Sequence, residues 1–162
     1  MEKFRKNIPV IVRVAAILML VCYFIPFCTV SCEGEVLARM TPLEMTTGKE
    51  IEGEYVGGEA TVCILIVLPV LALCFSFLKN MSAKSTLYIL SGAGILVAIN
   101  VFLVNGKNEA SEFGCDFTPG VGYYLFFIYG LFMIVAGIIS LMQRKVKEES
   151  SEELSEGKST EG

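Results

Sequence analysis

Residues 121–142 read VGYYLFFIYGLFMIVAGIISLM, a run that contains no charged side chain. The hydrocarbon core of a bilayer is about 30 Å thick, so a helix rising about 1.5 Å per residue crosses it with about 20 apolar residues. Three further stretches have a similar length and composition: residues 8–29, 60–78 and 86–104. Their one formal charge is Arg13, whose long side chain can reach back to the headgroups. The sequence therefore predicts an all-α integral membrane protein, an antiparallel four-helix transmembrane bundle.

Composition supports a membrane protein and excludes several classes of function. Of the 162 residues, 54% are hydrophobic, which is more than a soluble domain of this size buries. The net charge is −4 and the basic residues lie in short clusters, so we expect no nucleic-acid partner. The chain has no histidine, which removes imidazole as a base, a metal ligand or a proton carrier. We expect no catalytic, cofactor-binding or metal-binding residue.

Basic residues predict the orientation of the bundle. Lysines and arginines concentrate in cytoplasmic segments of membrane proteins. Nine of them lie in residues 1–7, in the loop at 79–85 and after residue 142, whereas three, Arg39, Lys49 and Lys107, lie in the other two connections. The pattern predicts a cell-membrane protein with cytoplasmic N- and C-termini and outer loops at residues 30–59 and 105–120. Residues 143–162, rich in Glu, Ser and Lys, predict a disordered cytoplasmic tail.

The first outer loop contains a signature of local structure. EVLARM at residues 35–40 looks extended, and TPLE follows it with Thr41 as a helix N-cap, Pro42 at the first helical position and Glu44 placed to complete a capping box. Gly48 stands where a glycine ends a helix. We therefore expect a short helix in a small extracytoplasmic cap. Both outer loops are acidic, yet neither has the ligand spacing of a calcium loop.

Small residues predict where the helices pack. Gly94 and Ala98 are four residues apart in the third stretch, and Ala136 and Ser140 have the same spacing in the fourth. Such faces let helix backbones approach each other in membranes. The pattern fits packing within one chain, and a homo-oligomer seam is the alternative. Beyond the lipid bilayer, the expected partner is another membrane protein or a second copy.

Four of the six cysteines map to the outer side, where disulfides form: Cys28, Cys32, Cys63 and Cys115. Cys32 and Cys115 lie well outside the apolar stretches, which makes them the structural disulfide candidate, with free thiols as the alternative. A Cys32–Cys115 bridge would join the two outer loops. Quinone-coupled disulfide-forming enzymes are also four-helix bundles with outer cysteines, but they use a CxxC pair. Here the spacing is CTVSC, which we place at a helix end whose dipole disfavours a thiolate.

Three short strings resemble a loosely defined group of small four-span membrane proteins of low-GC Gram-positive bacteria. They are IPFCTVSC at 25–32, TPLEMTTGKE at 41–50 and the PGxGYY pattern at 119–124. The layout also resembles animal claudins in its structured first outer loop, but their signature requires tryptophan, which this chain lacks. The resemblance implies a membrane location and assigns no activity. We expect a non-enzymatic accessory or interaction subunit, with a thiol–disulfide oxidoreductase and a small transporter as alternatives.

Overall fold

The computed structural model describes residues 7–51, 54–56, 60–77, 81–112 and 114–159. Helices dominate these residues, and short strands occupy the connections between them. The helices are α1 (Ile8–Cys22), α2 (Pro42–Thr47), α3 (Ile64–Phe75), α4 (Met81–Glu112) and α5 (Val121–Ser159). The strands are β1 (Cys28–Cys32), β2 (Glu35–Met40), β3 (Lys49–Ile51), β4 (Glu54–Val56) and β5 (Cys115–Pro119), and a 3-10 turn at Ala60–Cys63 leads into α3.

The prediction of four membrane-spanning helices is wrong. Among the described residues, two helices are long and apolar enough to cross a membrane, over Ala83–Glu112 with a hydropathy of 2.3 and over Val121–Gln143 with 2.5. Helix α1 has 15 residues and α3 has 12. At about 1.5 Å per residue they extend about 22 Å and about 18 Å, less than the hydrocarbon thickness.

Local chain geometry explains why the first apolar stretch forms a short helix. Helix α1 ends in a turn in which the Phe24 and Ile25 amides donate to the carbonyls of Val21 and Cys22. Pro26 follows, and a proline disfavours helical backbone at the residue before it. The next residues then join a sheet instead of extending the helix. Apolar composition alone carries no information about such an end.

The other predicted boundaries also shift. Helix α4 extends beyond the predicted span 86–104 at both ends, so much of the expected loops at 79–85 and 105–120 is helical. Helix α5 extends beyond 142 to Ser159, where the sequence predicted a disordered tail. Glu, Lys and Arg favour helices, and extending an existing helix needs no new nucleus. Residues 1–6 and 160–162 lie outside the described residues, so the predicted N-terminal segment is described only at Asn7.

A three-stranded antiparallel sheet, in the order β2-β1-β5, overturns the all-α prediction. Strand β1 lies in the centre, so Val30 pairs with Ala38 on one side and with Phe117 on the other. Glu33 and Gly34 connect β1 to β2, and both have positive φ angles, 54° and 87°. This combination is typical of the two-residue hairpin turns that match the twist of antiparallel strands. Strands β3 and β4 form a separate two-stranded sheet.

Helix α2 confirms the predicted capping box. The Glu44 amide donates to Thr41 Oγ1 at 3.2 Å, and the Thr41 amide donates to the Glu44 carboxylate at 2.8 Å. Pro42 begins the helix and Gly48 ends it with a φ of 85°. This helix packs beside β2 and the turn that leads into α3. We call β1, β2, β5 and α2 together the cap.

Phe27 anchors the cap on the helices. Its side chain is 1% exposed, and its ring contacts those of Phe102, Tyr123 and Phe126 edge to face at centroid distances of 5.5, 5.8 and 5.9 Å. Aromatic pairs in this geometry add to the hydrophobic stabilisation from burial. The cap is thus packed directly against the adjoining ends of α4 and α5. We call this end of the helices the cap end, and the end that holds Ser76 and Ser85 the opposite end.

Candidate functional site

The predicted Cys32–Cys115 disulfide is present and joins β1 to β5. The two residues face each other in the strand register, with their Cα atoms 4.2 Å apart. They lie 83 positions apart in a chain of 162 residues, so the bridge closes a loop of about half the chain. Because β5 follows α4 and leads into α5, the disulfide fixes the cap to both long helices.

Cys28 lies in a different place from the one we predicted. It begins β1 instead of ending a helix, so the helix-dipole argument about its thiol was wrong. The side chain is 1% exposed, and its sulfur lies 3.9 Å from Met45 Sδ. Burial raises the pKa of the Cys28 thiol to about 12. Four residues along a strand separate it from Cys32, about 13 Å, so the neutral thiol is poorly placed to attack the disulfide.

Strand β2 forms one edge of the cap. It exposes two consecutive apolar side chains, Val36 at 55% and Leu37 at 43%, one on each face of the strand. Lys49 donates to the Arg39 carbonyl at 3.2 Å and to Glu44 at 2.7 Å, which holds α2 against the far end of this strand. Edge strands are templates for pairing with another extended segment. The edge of β2 is therefore a surface on which a partner could add a strand.

A polar cluster lies at the opposite end of the helices. Arg13 of α1 donates to the Ser76 hydroxyl at 2.5 Å and to the Ser76 carbonyl at 3.1 Å, just after the last residue of α3. The guanidinium also lies 4.1 Å from the centre of the Phe77 ring. A cation at a helix C-terminus is stabilised by the helix dipole and by the free carbonyls there. Arg13 therefore fastens α1 to α3, a role that its position in the sequence does not reveal.

Two tyrosines near this cluster have buried hydroxyls. Tyr88 is 1% exposed and Tyr129 is 4% exposed, and neither hydroxyl has a hydrogen-bond partner among the described residues. Tyr88 lies beside Ser76, the residue that Arg13 binds, and its hydroxyl makes no hydrogen bond of good geometry to Ser76. A buried polar group without a partner is costly and rare in folded proteins. The sequence reasoning missed both tyrosines, because an apolar stretch gives no sign of which hydroxyl lacks a partner.

The predicted small-residue positions divide between two surfaces. Ala136 and Ser140 are buried between α4 and α5, where the Ser85 hydroxyl donates to Ser140 Oγ at 2.8 Å. Gly94 and Ala98 instead line a groove of about 750 Å³ between α3 and α4. The groove walls are apolar, including Val97 and Val101 of α4. Among the glycines of α4, Gly92 lies closest to the backbone of a neighbouring helix, and the predicted spacing passed over it.

The described residues contain no group of three or more Cys, Asp or Glu side chains that could hold a metal ion. In the comparisons with known proteins, no protein-family model and no curated protein matches this chain.

Proposed function

We propose that this chain is a multi-pass integral membrane protein in which α4 and α5 cross the bilayer as an antiparallel pair. The observation that carries the proposal is the exposure of their apolar side chains. Only 28% of the most apolar window of α4 and 39% of that of α5 is buried within the protein. Soluble monomers rarely expose contiguous apolar patches larger than a few hundred Å². Helices α1 and α3 pack on this pair and are too short to cross independently.

The proposed orientation places the cap outside and the chain ends in the cytoplasm. The lysines and arginines outside the apolar stretches favour the side opposite the cap, in agreement with the positive-inside pattern. The Cys32–Cys115 disulfide lies in the cap, and disulfides persist in oxidising compartments outside the cytoplasm. These two independent features support the same orientation.

The proposed role is that of a non-enzymatic accessory subunit that binds another membrane protein through the cap. The cap is fixed to α4 and α5 by the disulfide and by Phe27, and it presents the β2 edge to the aqueous phase. The high pKa of Cys28 and its distance from the disulfide weigh against a thiol–disulfide oxidoreductase. A cap in which β2 has β1 as its one strand neighbour among the described residues is suited to binding by strand addition.

Site-specific photo-crosslinking in native membranes tests this role. A photoreactive residue at Val36 or Leu37 should give a discrete cross-linked product, because both side chains are exposed on the β2 edge. The same residue at Glu109, exposed near the end of α4, is the matched control and should give none. Identical, diffuse products from all three positions would contradict a specific partner at the cap.

A thiol-trapping experiment separates this role from oxidoreductase activity. In the Cys32→Ser variant the Cys115 thiol loses its partner and becomes available to trap a substrate. An accessory subunit should show no mixed disulfide with another protein after rapid acid quenching. A defined substrate linked to Cys115 would overturn the proposal and favour the enzyme.

A further inference from the structure

Three elements bring hydrogen-bond donors together at the end of the helices opposite the cap. Arg13 comes from α1, Ser76 follows α3, and Tyr88 comes from the first part of α4. Lys84 precedes Tyr88 by four residues, so both side chains lie on the same face of α4. The cluster carries positive charge and several hydroxyl groups.

The positive charge in this cluster has no acidic counterpart among the described residues. Among the described residues, the one ion pair between side chains is in the cap, where it joins Lys49 to Glu44. Arg13 is partly buried and directs two of its N–H groups to Ser76. A guanidinium has five N–H donors in a planar fork that matches the oxygens of phosphate. The remaining donors can therefore receive an anion.

Tyr88 is the second and independent observation that points to a ligand. Its hydroxyl is buried, has no hydrogen bond of good geometry among the described residues, and lies beside Ser76, the residue that Arg13 binds. Buried hydroxyls normally have a hydrogen-bond partner, and a ligand oxygen can supply one. An anion held by Arg13 would place an acceptor close to this hydroxyl.

We propose that Arg13, Ser76 and Tyr88 form a binding site for a phosphate group, with Lys84 adding positive charge at its rim. The site goes beyond the proposed interaction role, which uses the opposite end of the protein. Phe77, 65% exposed, covers the guanidinium from outside and joins the site to the apolar surface of the helices. The headgroup of an anionic lipid combines a phosphate with acyl chains for that surface. Basic pockets between membrane helices on the cytoplasmic side bind such headgroups.

Binding of phosphatidic acid to the purified full chain tests the site. The protein is placed in nanodiscs of phosphatidylcholine alone, or of phosphatidylcholine in which about a tenth of the lipid is replaced by phosphatidic acid. Lipid binding is measured by native mass spectrometry. The unaltered chain should retain phosphatidic acid in preference to phosphatidylcholine. Equal retention of the two lipids would overturn the proposal.

The Tyr88→Phe variant isolates the proposed contact. It removes one hydroxyl that lacks a partner within the protein, so the fold should be retained, whereas Arg13→Ala would also detach α1 from α3. Affinity for phosphatidic acid should fall about tenfold, as expected for loss of a hydrogen bond to a charged group. Tyr129→Phe is the matched control, because it removes the other unpartnered hydroxyl, for which no electrostatic contact with Arg13 is found. Equal affinity of Tyr88→Phe and the unaltered chain would overturn the site.

Competition by inorganic phosphate shows whether the site binds a free phosphate or the phosphate of a lipid headgroup. The competition is measured in detergent. If inorganic phosphate competes with short-chain phosphatidic acid, and binds the Tyr88→Phe variant more weakly than the unaltered chain, the site is assigned to a free phosphate. Absence of competition, together with the loss seen for Tyr88→Phe in nanodiscs, would assign it to a lipid. Binding of neither species would overturn the site.

Discussion

Gly92 of α4 lies directly against Gly130 of α5: a Cβ atom added to Gly92 would come within 2.6 Å of the Gly130 carbonyl oxygen. The seam continues at Gly137, where an added Cβ would lie 2.9 Å from the Ser85 carbonyl oxygen. These contacts involve backbone atoms, which cannot rotate away. Small residues of this kind allow the close packing of membrane helices.

Replacing Gly92 with alanine should therefore loosen the α4–α5 pair. We expect a loss of about 1–3 kcal/mol in unfolding free energy, the usual range for overpacking. Gly94→Ala is the matched control, because an added Cβ there meets only the end of the Leu68 side chain, at 3.0 Å, and no backbone atom. Thermal unfolding in detergent measures both variants, and equal melting temperatures would contradict the seam.

Removing the disulfide should destabilise the cap. In the chain-entropy model a bridge across such a long segment is worth about 4 kcal/mol, and the proposed membrane location would lower this value because it would confine the unfolded chain. The double variant Cys32→Ser, Cys115→Ser should melt at a lower temperature than the oxidised protein and at the same temperature as the reduced protein. Cys74→Ser, at an exposed free cysteine, controls for the loss of a thiol. A free Cys115 thiol in protein isolated under an alkylating quench would exclude the bridge.

Acid should weaken the α2 end of the cap. The hydrogen bond and charge of Lys49, with the Thr41 amide, lower the pKa of Glu44 below its usual range. A group whose pKa is lower in the folded state contributes stability above its unfolded pKa and loses it as the pH falls through the folded pKa. The protection factors of the α2 amides, which are corrected for the intrinsic pH dependence of hydrogen exchange, should therefore decrease below the ordinary pKa of a glutamate. Glu44→Gln should remove most of this pH dependence while retaining one cap acceptor, and an unchanged profile would contradict the role of Glu44.

Local signals in the sequence were sufficient for some features of this protein. The capping box around Thr41 was predictable because the N-cap, proline and glutamate interact within a few residues. The disulfide partners were predictable by position, since Cys32 and Cys115 alone lie well clear of the apolar stretches.

Features that depend on tertiary structure were not predictable. The CTVSC segment adjoins an apolar stretch in the sequence, and only pairing with β2 and β5 makes it a strand. In the same way, the four apolar stretches led to a prediction of four membrane spans. Hydropathy does not indicate where α1 and α3 end. The Arg13–Ser76 contact joins residues 63 positions apart, a separation for which no sequence pattern exists here.

Cysteine labelling on intact cells shows whether the protein crosses the membrane between its cap and its C-terminus. Single cysteines are placed at Thr47, exposed in the cap, and at Ser159, the last residue of α5, in a background without Cys22, Cys28, Cys63 and Cys74. A membrane-impermeant maleimide should label the Thr47→Cys variant in intact cells and the Ser159→Cys variant only after the membrane is permeabilised. Labelling of both variants in intact cells, or of Ser159→Cys alone, would contradict a membrane-crossing pair of helices with the cap outside.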